Sequence, residues 1–501
     1  MCLASLLPIV AGGSLLVSAG GLAGDWPQYR GPNHDGISTE VIRTNWTAKT
    51  PQRLWKISLG QAWSSLTVQG GRVFTQVERS NGLEPREYCV ALDASTGKEL
   101  WATDVEKADY LNGYDGARST PSVIGDRVYV YTSWMQLYCL AVATGKVLWS
   151  HDLASEYNGT VIPWNNASSP LVIGDRVFVN HNGDTNRIAA FNRFDGTLAW
   201  RNHSNRTVHA TPIATTLHGV LQVIFQTREG LIAVNPDDGA ALWRFNFPQN
   251  STSAAASPVV AGDRVYCSAA YGTGAGAALV SLSSGVLSAA QAWKTKGANM
   301  NHWATPVYHE GYLYGVYGQG SLRLACVDAA SGQEMWQQTG VGYGSVLKVN
   351  NLLVVLTEDG DLVLVEPRPD AYREIDRVHT VNGLCWNNPA ISQGRIYVRS
   401  QTEAAAYDIA PTVVPRSPLK LEPGLSGSGR RFQLVIGTQN GSPIDAVRAA
   451  GIQLLTTPDL SAARGSWSPT APDPILVDGR LRFEESLAEP TGRRYFRVIE
   501  P

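Results

Sequence analysis

From residue 52 to residue 410 the chain is a succession of short alternating apolar and polar runs separated by Gly, Asp and Asn. That is the period-two pattern of half-buried strands joined by tight turns. One phrase recurs: ALDASTGKELW ending at Trp101, LAVATGKVLW at Trp149, FNRFDGTLAW at Trp200, VNPDDGAALW at Trp243 and VDAASGQEMW at Trp336. Each copy carries Gly four residues before Trp, and a degenerate copy, SLSSGVLSAAQAW, ends at Trp293. The phrase reads as a strand, an Asx/Gly turn and a second strand that presents a large aromatic.

A second phrase precedes the first, as in STPSVIGDRVYV from Ser119, SSPLVIGDRVFV from Ser168 and ASPVVAGDRVYC from Ala256. Aligning its copies puts Leu66, Pro121, Pro170, Pro212, Pro258, Pro306, Val346 and Pro389 at one repeat position. Eight units of about 46 residues result, the period of propeller blades. Two hairpins per unit predict an all-β, eight-bladed β-propeller of four-stranded blades over residues 52–410. Trp55 in RLWKISL stands at the outer-strand position ahead of the first hairpin, and the eighth unit ends at AAAYDIAP without such a strand. The N-terminal strand is therefore expected to complete the last blade and remove the exposed edges. The seventh unit, GDLVLVEPRPDAYREIDRV, has no Trp after its turn, and Tyr372 or Ile375 is expected to fill the place. The repeated Trp residues read as core aromatics docking one blade on the next.

Composition agrees with this reading and narrows the class. The chain has 49 Gly, 27 Pro and 15 Trp with only 17% charged residues, which suits strands and turns better than helices. A formal net charge of −2 supplies no electrostatic footprint for a phosphate backbone, so no nucleic-acid partner is expected. The first 24 residues are uncharged, rich in Leu, Val, Ala, Gly and Ser, and end in small residues before Asp25. They read as a signal peptide, which places the mature protein, a monomer, outside the cytoplasm in the periplasm or beyond, with association to the outer membrane or cell surface as one form of that expectation. No later stretch reaches membrane-spanning length. Cys89, Cys139, Cys267, Cys326 and Cys385 lie in apolar strand-like segments and read as buried small hydrophobes, a single disulfide being the alternative.

Residues 25–51 read as an ordered, strandless N-terminal arm packed on the propeller, with Arg30 and His34 as structural rather than ligand residues. After a Pro-rich linker at 411–416, residues 417–501 form a separate unit with strands in RFQLVIG, IQLLTT, GRLRFEE and RRYFRVIE and a short helix around Ile444 to Ala450, predicting a small C-terminal β-sandwich.

Inner propeller strands begin near the central axis, so the residue three before the aligned Pro recurs around it. Those positions hold Trp63, Arg118, Ala167, His209, Ala255, Trp303, Tyr343 and Trp386, with His302, Asn166 and Asn387 adjacent. Four aromatics, a cation and a His predict a funnel for a planar or anionic small molecule or for a peptide segment, the competing reading being a channel plug. No HExxH, Walker loop or GxSxG occurs, GTGAGA at Gly272 reads as a hairpin loop, and the nine His show no ligand spacing, so no metal site is expected.

The phrase AxDxxTGxxxW, matched by Ala91, Asp93, Thr96, Gly97 and Trp101, resembles the pyrroloquinoline quinone (PQQ) repeat family of eight-bladed propellers. The opening DWPQYRGPNHDGIS resembles the mature start of exported PQQ-like propellers of planctomycete and verrucomicrobial type, and LLTTPDLSAARGSWSP with RRYFRVIEP resembles a β-sandwich module at the C-termini of verrucomicrobial exported proteins. The resemblance implies either of two functions, since a fold does not choose its chemistry. One branch comprises quinoprotein alcohol dehydrogenases that use PQQ and calcium; the other comprises non-enzymatic scaffolds such as the outer-membrane assembly propeller BamB. The enzymatic site implied by the family has an adjacent Cys-Cys disulfide, a stacking Trp, a Glu/Asn calcium pair and an Asp base. This sequence has no Cys-Cys pair, although Trp303 and Trp386 suit stacking and Asp115 beside Arg118 suits a base and an electrophile. The expectation is a non-enzymatic exported scaffold without cofactor, binding an exported protein or peptide partner or a small planar or anionic ligand. The alternative is a PQQ- and calcium-dependent alcohol dehydrogenase.

Overall fold

The computed structural model describes residues 24–113, 115–411, 419–426, 431–439, 441–444, 446–457, 467–486 and 495–499. The expected signal peptide, except Gly24, and the expected linker beyond Pro411 lie outside the described residues. The chain divides into two compact units, residues 1–411 and 412–501.

In the first unit every repeat is one antiparallel sheet. Thr67–Gln69, Arg72–Ser80, Pro85–Asp93 and Glu99–Lys107 make the first, and the same up-and-down order recurs until Ala390–Ser392, Arg395–Arg399 and Glu403–Asp408. Strand Gln52–Ser58 pairs antiparallel with Glu403–Asp408 and supplies the missing outer strand of that last sheet. Eight sheets thus occupy the described residues from Gln52 to Asp408, and the fold is a β-propeller.

The residue before the aligned Pro ties neighbouring units together at five junctions. The N–H of Ser65 donates to the hydroxyl of Thr120, Thr120 N–H to Ser169, Ser169 N–H to Thr211 and Ser257 N–H to Thr305. Asn388 N–H donates to Ser65 Oγ at 3.0 Å, joining the eighth unit to the first. These hydroxyls are buried, so each bond also satisfies a backbone donor that water does not reach.

The recurrent Trp and Gly form the outer counterpart. The indole N–H of Trp55 donates to the Ala94 carbonyl, Trp101 to Val142, Trp149 to Arg193, Trp200 to Pro236, Trp293 to Ala329 and Trp336 to Arg368, each in the following unit's turn. The turn Gly lies under the indole: a Cβ added at Gly239 would stand 2.5 Å from Trp200, and one at Gly97 2.8 Å from Trp55. Positive φ at these turns adds a second reason for Gly. Trp243 departs from the series and donates to Gln222 of its own unit, because the fifth unit has the degenerate turn.

In the seventh unit neither Tyr372 nor Ile375 takes the Trp place. Register sets Asp376 opposite Leu364, where other units set Trp opposite Ala or Cys. Asp376 accepts from Thr47 N–H and Thr47 Oγ1, both at 2.7 Å, and Trp46 is buried in the core cluster that holds Leu364 and Val381. The arm supplies the aromatic that the repeat lacks. Tyr372 packs edge-on against Trp336 instead.

The arm is not strandless, since Ile37–Ser38 pairs parallel with Ser345–Val349. Upstream it crosses the inner strands: Trp26 exchanges both backbone bonds with Val68, Val123 N–H donates to Pro27 O, and Val172 N–H donates to the Gln28 side chain. The fully buried Arg30 guanidinium donates to the Thr305, Pro306 and Asp35 carbonyls. All five described cysteines are buried free thiols.

In the second unit, sheet Leu419–Ser426, Arg431–Thr438, Arg480–Ser486, Ile475–Val477 and sheet Ser468–Pro469, Gln453–Thr457, Tyr495–Ile499 share one core containing Leu434, Ile436, Leu454, Leu481 and Phe483. Phe432 and Phe496 stack across it at 5.3 Å. This is a β-sandwich with one short helix, Ala446–Gly451.

Candidate functional site

All eight residues three before the aligned position line one cavity of about 390 Å³ at the start of the inner strands. Four of them make a continuous aromatic wall: Trp63 stacks on Trp386 at 4.5 Å, Trp386 meets Trp303 at 4.9 Å, and Trp303 stacks on Tyr343 at 4.3 Å. His302 continues the wall beside Trp303 at 4.5 Å, and Tyr271 meets His302 edge-on. Two of the indoles are held from behind. Trp63 Nε1 donates to the Asp115 carbonyl at 3.0 Å and Trp386 Nε1 to the Glu358 carboxylate at 2.6 Å.

The opposite side is polar. Arg118 donates to the carbonyls of Gly116 and Gly113, and its guanidinium carbon stands 5.4 Å over the Tyr110 ring. Burial lowers its pKa from the ordinary arginine value, opposed by nearby Tyr110, Glu87 and Asp115. Behind Tyr110, the buried Glu87 carboxyl accepts from Ser133 N–H and is pushed up to about 7 by desolvation. His209 is held down to about 3 by burial and by Arg118 and His302, so its imidazole is neutral at physiological pH. His302 is lowered for the same first reason, and its Nε2 pairs with the Thr252 carbonyl.

Several buried polar atoms of the lining have no hydrogen-bond partner among the described residues: Trp303 Nε1, His209 Nδ1 and both amide atoms of Asn387. Buried polar atoms left unpaired cost stability unless something in the cavity pairs with them. A molecule with one flat apolar face and polar atoms on its rim would satisfy both walls.

Of the residues the sequence singled out, Trp63, Arg118, His209, His302, Trp303, Tyr343, Trp386 and Asn387 meet at this cavity, and Asn166 does not. Asn166 turns away: its amide donates to the Thr132 and Ser168 carbonyls and accepts from Ser168 N–H, a loop-bracing role. Asp115 is exposed, does not line the cavity, and contributes its backbone carbonyl rather than a base. Sequence reasoning missed Tyr29, Trp164, Tyr271, Gln319 and Asn388. Tyr29 comes from the arm, and its hydroxyl accepts from Asn388 Nδ2 at 3.2 Å. Tyr271 and Trp164 reach the cavity from left-handed loop positions that no repeat pattern marks.

The residues present do not suit PQQ with calcium. The lining contains no carboxylate, and among the described residues no group of three or more His, Cys, Asp or Glu is placed to hold a metal. A cation that prefers several oxygen ligands, carboxylates above all, finds no such set there.

Residues 85–302 match a family model described as outer membrane protein assembly factor BamB. The assembly factor BamB of Moranella endobia is 26% identical over 334 residues, 63% of this chain and 69% of that protein. Quinohemoprotein alcohol dehydrogenase ADH IIB of Pseudomonas putida is 28% identical over 161 residues, 31% of this chain and 22% of the enzyme. Among solved structures, quinohemoprotein alcohol dehydrogenase ADHIIG from Pseudomonas putida HK5 superposes with a TM-score of 0.59 at 12% identity, covering 83% of this chain and 85% of the enzyme. BamB from Moraxella catarrhalis gives 0.51 at 17% identity, covering 71% and 97%. Repeat, fold and relatives agree: the chain carries a PQQ-repeat β-propeller related both to BamB assembly factors and to quinoprotein alcohol dehydrogenases.

Proposed function

We propose that this propeller is a binding protein, not a dehydrogenase, and that its funnel receives a planar group with anionic or acceptor atoms on its rim. The observation that carries the reading is the pairing of an aromatic wall with Arg118 and unpaired buried donors across one cavity that contains no carboxylate. Trp303 and Trp386 supply the stacking face, Arg118 the charge, and Trp303 Nε1 and the Asn387 amide the directional hydrogen bonds. The group belongs either to a small molecule or to a side chain of an exported protein partner. Relatives described as outer-membrane assembly factors support a protein-interaction role and a location outside the cytoplasm. No helix among the described residues is long and apolar enough to cross a membrane.

The second reading, an alcohol dehydrogenase, is favoured by the quinoprotein relatives and by the same aromatic wall. Its lining holds no carboxylate base and no donor set for calcium, and burial leaves the two imidazoles there, His209 and His302, weak as bases for the alcohol proton. Quinoline-2-carboxylate, a planar monoanion, is a direct probe. Saturable quenching of Trp fluorescence is expected in the wild type, with affinity at least about tenfold weaker in Arg118→Ala. Equal binding by Arg118→Ala, or no quenching in the wild type, would remove the reading.

A further inference from the structure

The inner strands also end in a second cavity, of about 500 Å³, lined by Ile173, Ile213, Val259 and Tyr308 and by His34 and Asp35 of the arm. No motif of the sequence singles it out, and it goes beyond the function proposed above.

Its donors follow from the repeat. Each inner hairpin closes on a two-residue turn, so the residue one before the closing pair directs its N–H away from its partner strand and toward the axis. In four units the arm takes that donor: Val68 with Trp26 O, Val123 with Pro27 O, Val172 with Gln28 Oε1, and Lys348 with Gly36 O. The residues two after the aligned Pro in the fourth, fifth and sixth units are Ala214, Val260 and Tyr308. The fourth hairpin is two residues longer and closes on Leu217 and Val220, so Ala214 stands three before its closing pair and keeps the same outward N–H phase. Among the described residues no hydrogen bond reaches their N–H groups, and all three line the second cavity. His34, 6% exposed, lines the same cavity with Nε2 unpartnered.

We infer that this cavity is a docking site for an extended, uncharged peptide segment, which continues around the axis the backbone pairing that the arm begins. The observations choose a peptide over other occupants. The open groups are spaced donors that need several acceptors, which a run of peptide carbonyls provides and a single headgroup does not. Ile173, Ile213, Leu221 and Val259 give the wall apolar ground for aliphatic side chains, and Asn33, Thr215 and Thr216 add uncharged polar groups. A carboxylate ligand would meet Asp35, whereas peptide carbonyls bring no charge. Arm residues border the site, so the occupied and open donors form one continuous surface.

The test uses the whole chain and a synthetic, end-blocked copy of residues 25–29, DWPQY, with its Asp replaced by Asn. This peptide already satisfies the equivalent donors in the first three units. Amide hydrogen exchange is expected to slow at Ala214, Val260 and Tyr308 on peptide addition, with no acceleration at Val68 or Val123. Val260→Pro deletes one donor at an edge position that tolerates proline and should weaken binding about tenfold, while Val260→Ala keeps the N–H and changes affinity less than about threefold. Unchanged exchange at all three amides at saturating peptide would overturn the inference. So would equal binding by a folded Val260→Pro variant, accelerated exchange at Val68 from displacement of the arm, or the same protection produced by decanoate. Quinoline-2-carboxylate quenching in the funnel is read separately, so failure at either cavity leaves the other measurable.

Discussion

Tryptophan stands at two places in this propeller, and the two behave differently. At the outer strand it recurs in unit after unit: all but Trp243 donate the indole N–H to a carbonyl of the next unit's turn, and Trp55, Trp101, Trp149, Trp200 and Trp293 sit on that turn's Gly. At the funnel position Trp63, Trp303 and Trp386 share their repeat place with Arg118, His209, Tyr343 and two Ala, and Trp303 Nε1 has no partner among the described residues. A position that all units but the seventh fill with Trp serves what the units have in common, namely docking on a neighbour. A position that the units fill differently builds an asymmetric surface, and a ligand is what such asymmetry can read.

The sharpest way to break this contrast is to truncate one ring of each kind. Trp200→Ala removes a buried outer indole and should cost about 3–5 kcal/mol, read from denaturant midpoints, while leaving probe affinity in the funnel unchanged. Gly239→Ala pushes a methyl against that same ring from a positive-φ position and should cost about 1–3 kcal/mol by the same measurement. Trp303→Ala should reverse the pattern, with a smaller stability loss than Trp200→Ala and quinoline-2-carboxylate affinity reduced about tenfold. If Trp303→Ala destabilises as much as Trp200→Ala and leaves binding intact, the funnel rings are core and the contrast fails.

The smallest expected effect is the dependence of stability on pH. His34 and His181 are held down to about 4 and His209 to about 3, against an ordinary 6.5. Between those values the unfolded chain binds protons that the fold refuses, so stability falls as pH drops from 6.5. Glu87 opposes this: raised to about 7 from 4.5, it holds a proton in the fold that the unfolded chain releases, so its contribution is lost as pH rises from 4.5 through 7. Thermal melts should therefore show a steeper acid loss in Glu87→Gln than in the wild type, and a shallower one in His181→Gln.

Much of this was legible because repetition is itself a signal. The Gly–Trp spacing marked the outer contacts, and Trp55 ahead of the first hairpin marked the closing strand. Counting back three from the aligned Pro found the funnel ring. What stayed hidden lies outside the period. Asn166 neighbours a ring position, but its amide is used up by Thr132 and Ser168. Asp376 replaces the seventh Trp, and only the path of the arm shows that Trp46 and Thr47 compensate. Tyr29, Tyr271 and Gln319 reach the cavity through the arm and through loops whose course no repeat records.

The central claim, a binding funnel without quinoprotein chemistry, is tested most directly by titrating the purified protein with PQQ in the presence and absence of calcium, following Trp fluorescence and dye-linked alcohol oxidation in wild type and Arg118→Ala. The account predicts quenching that does not depend on calcium, weakened in Arg118→Ala, with no turnover. Calcium-dependent alcohol oxidation that disappears in Arg118→Ala would contradict it and make the funnel an active site.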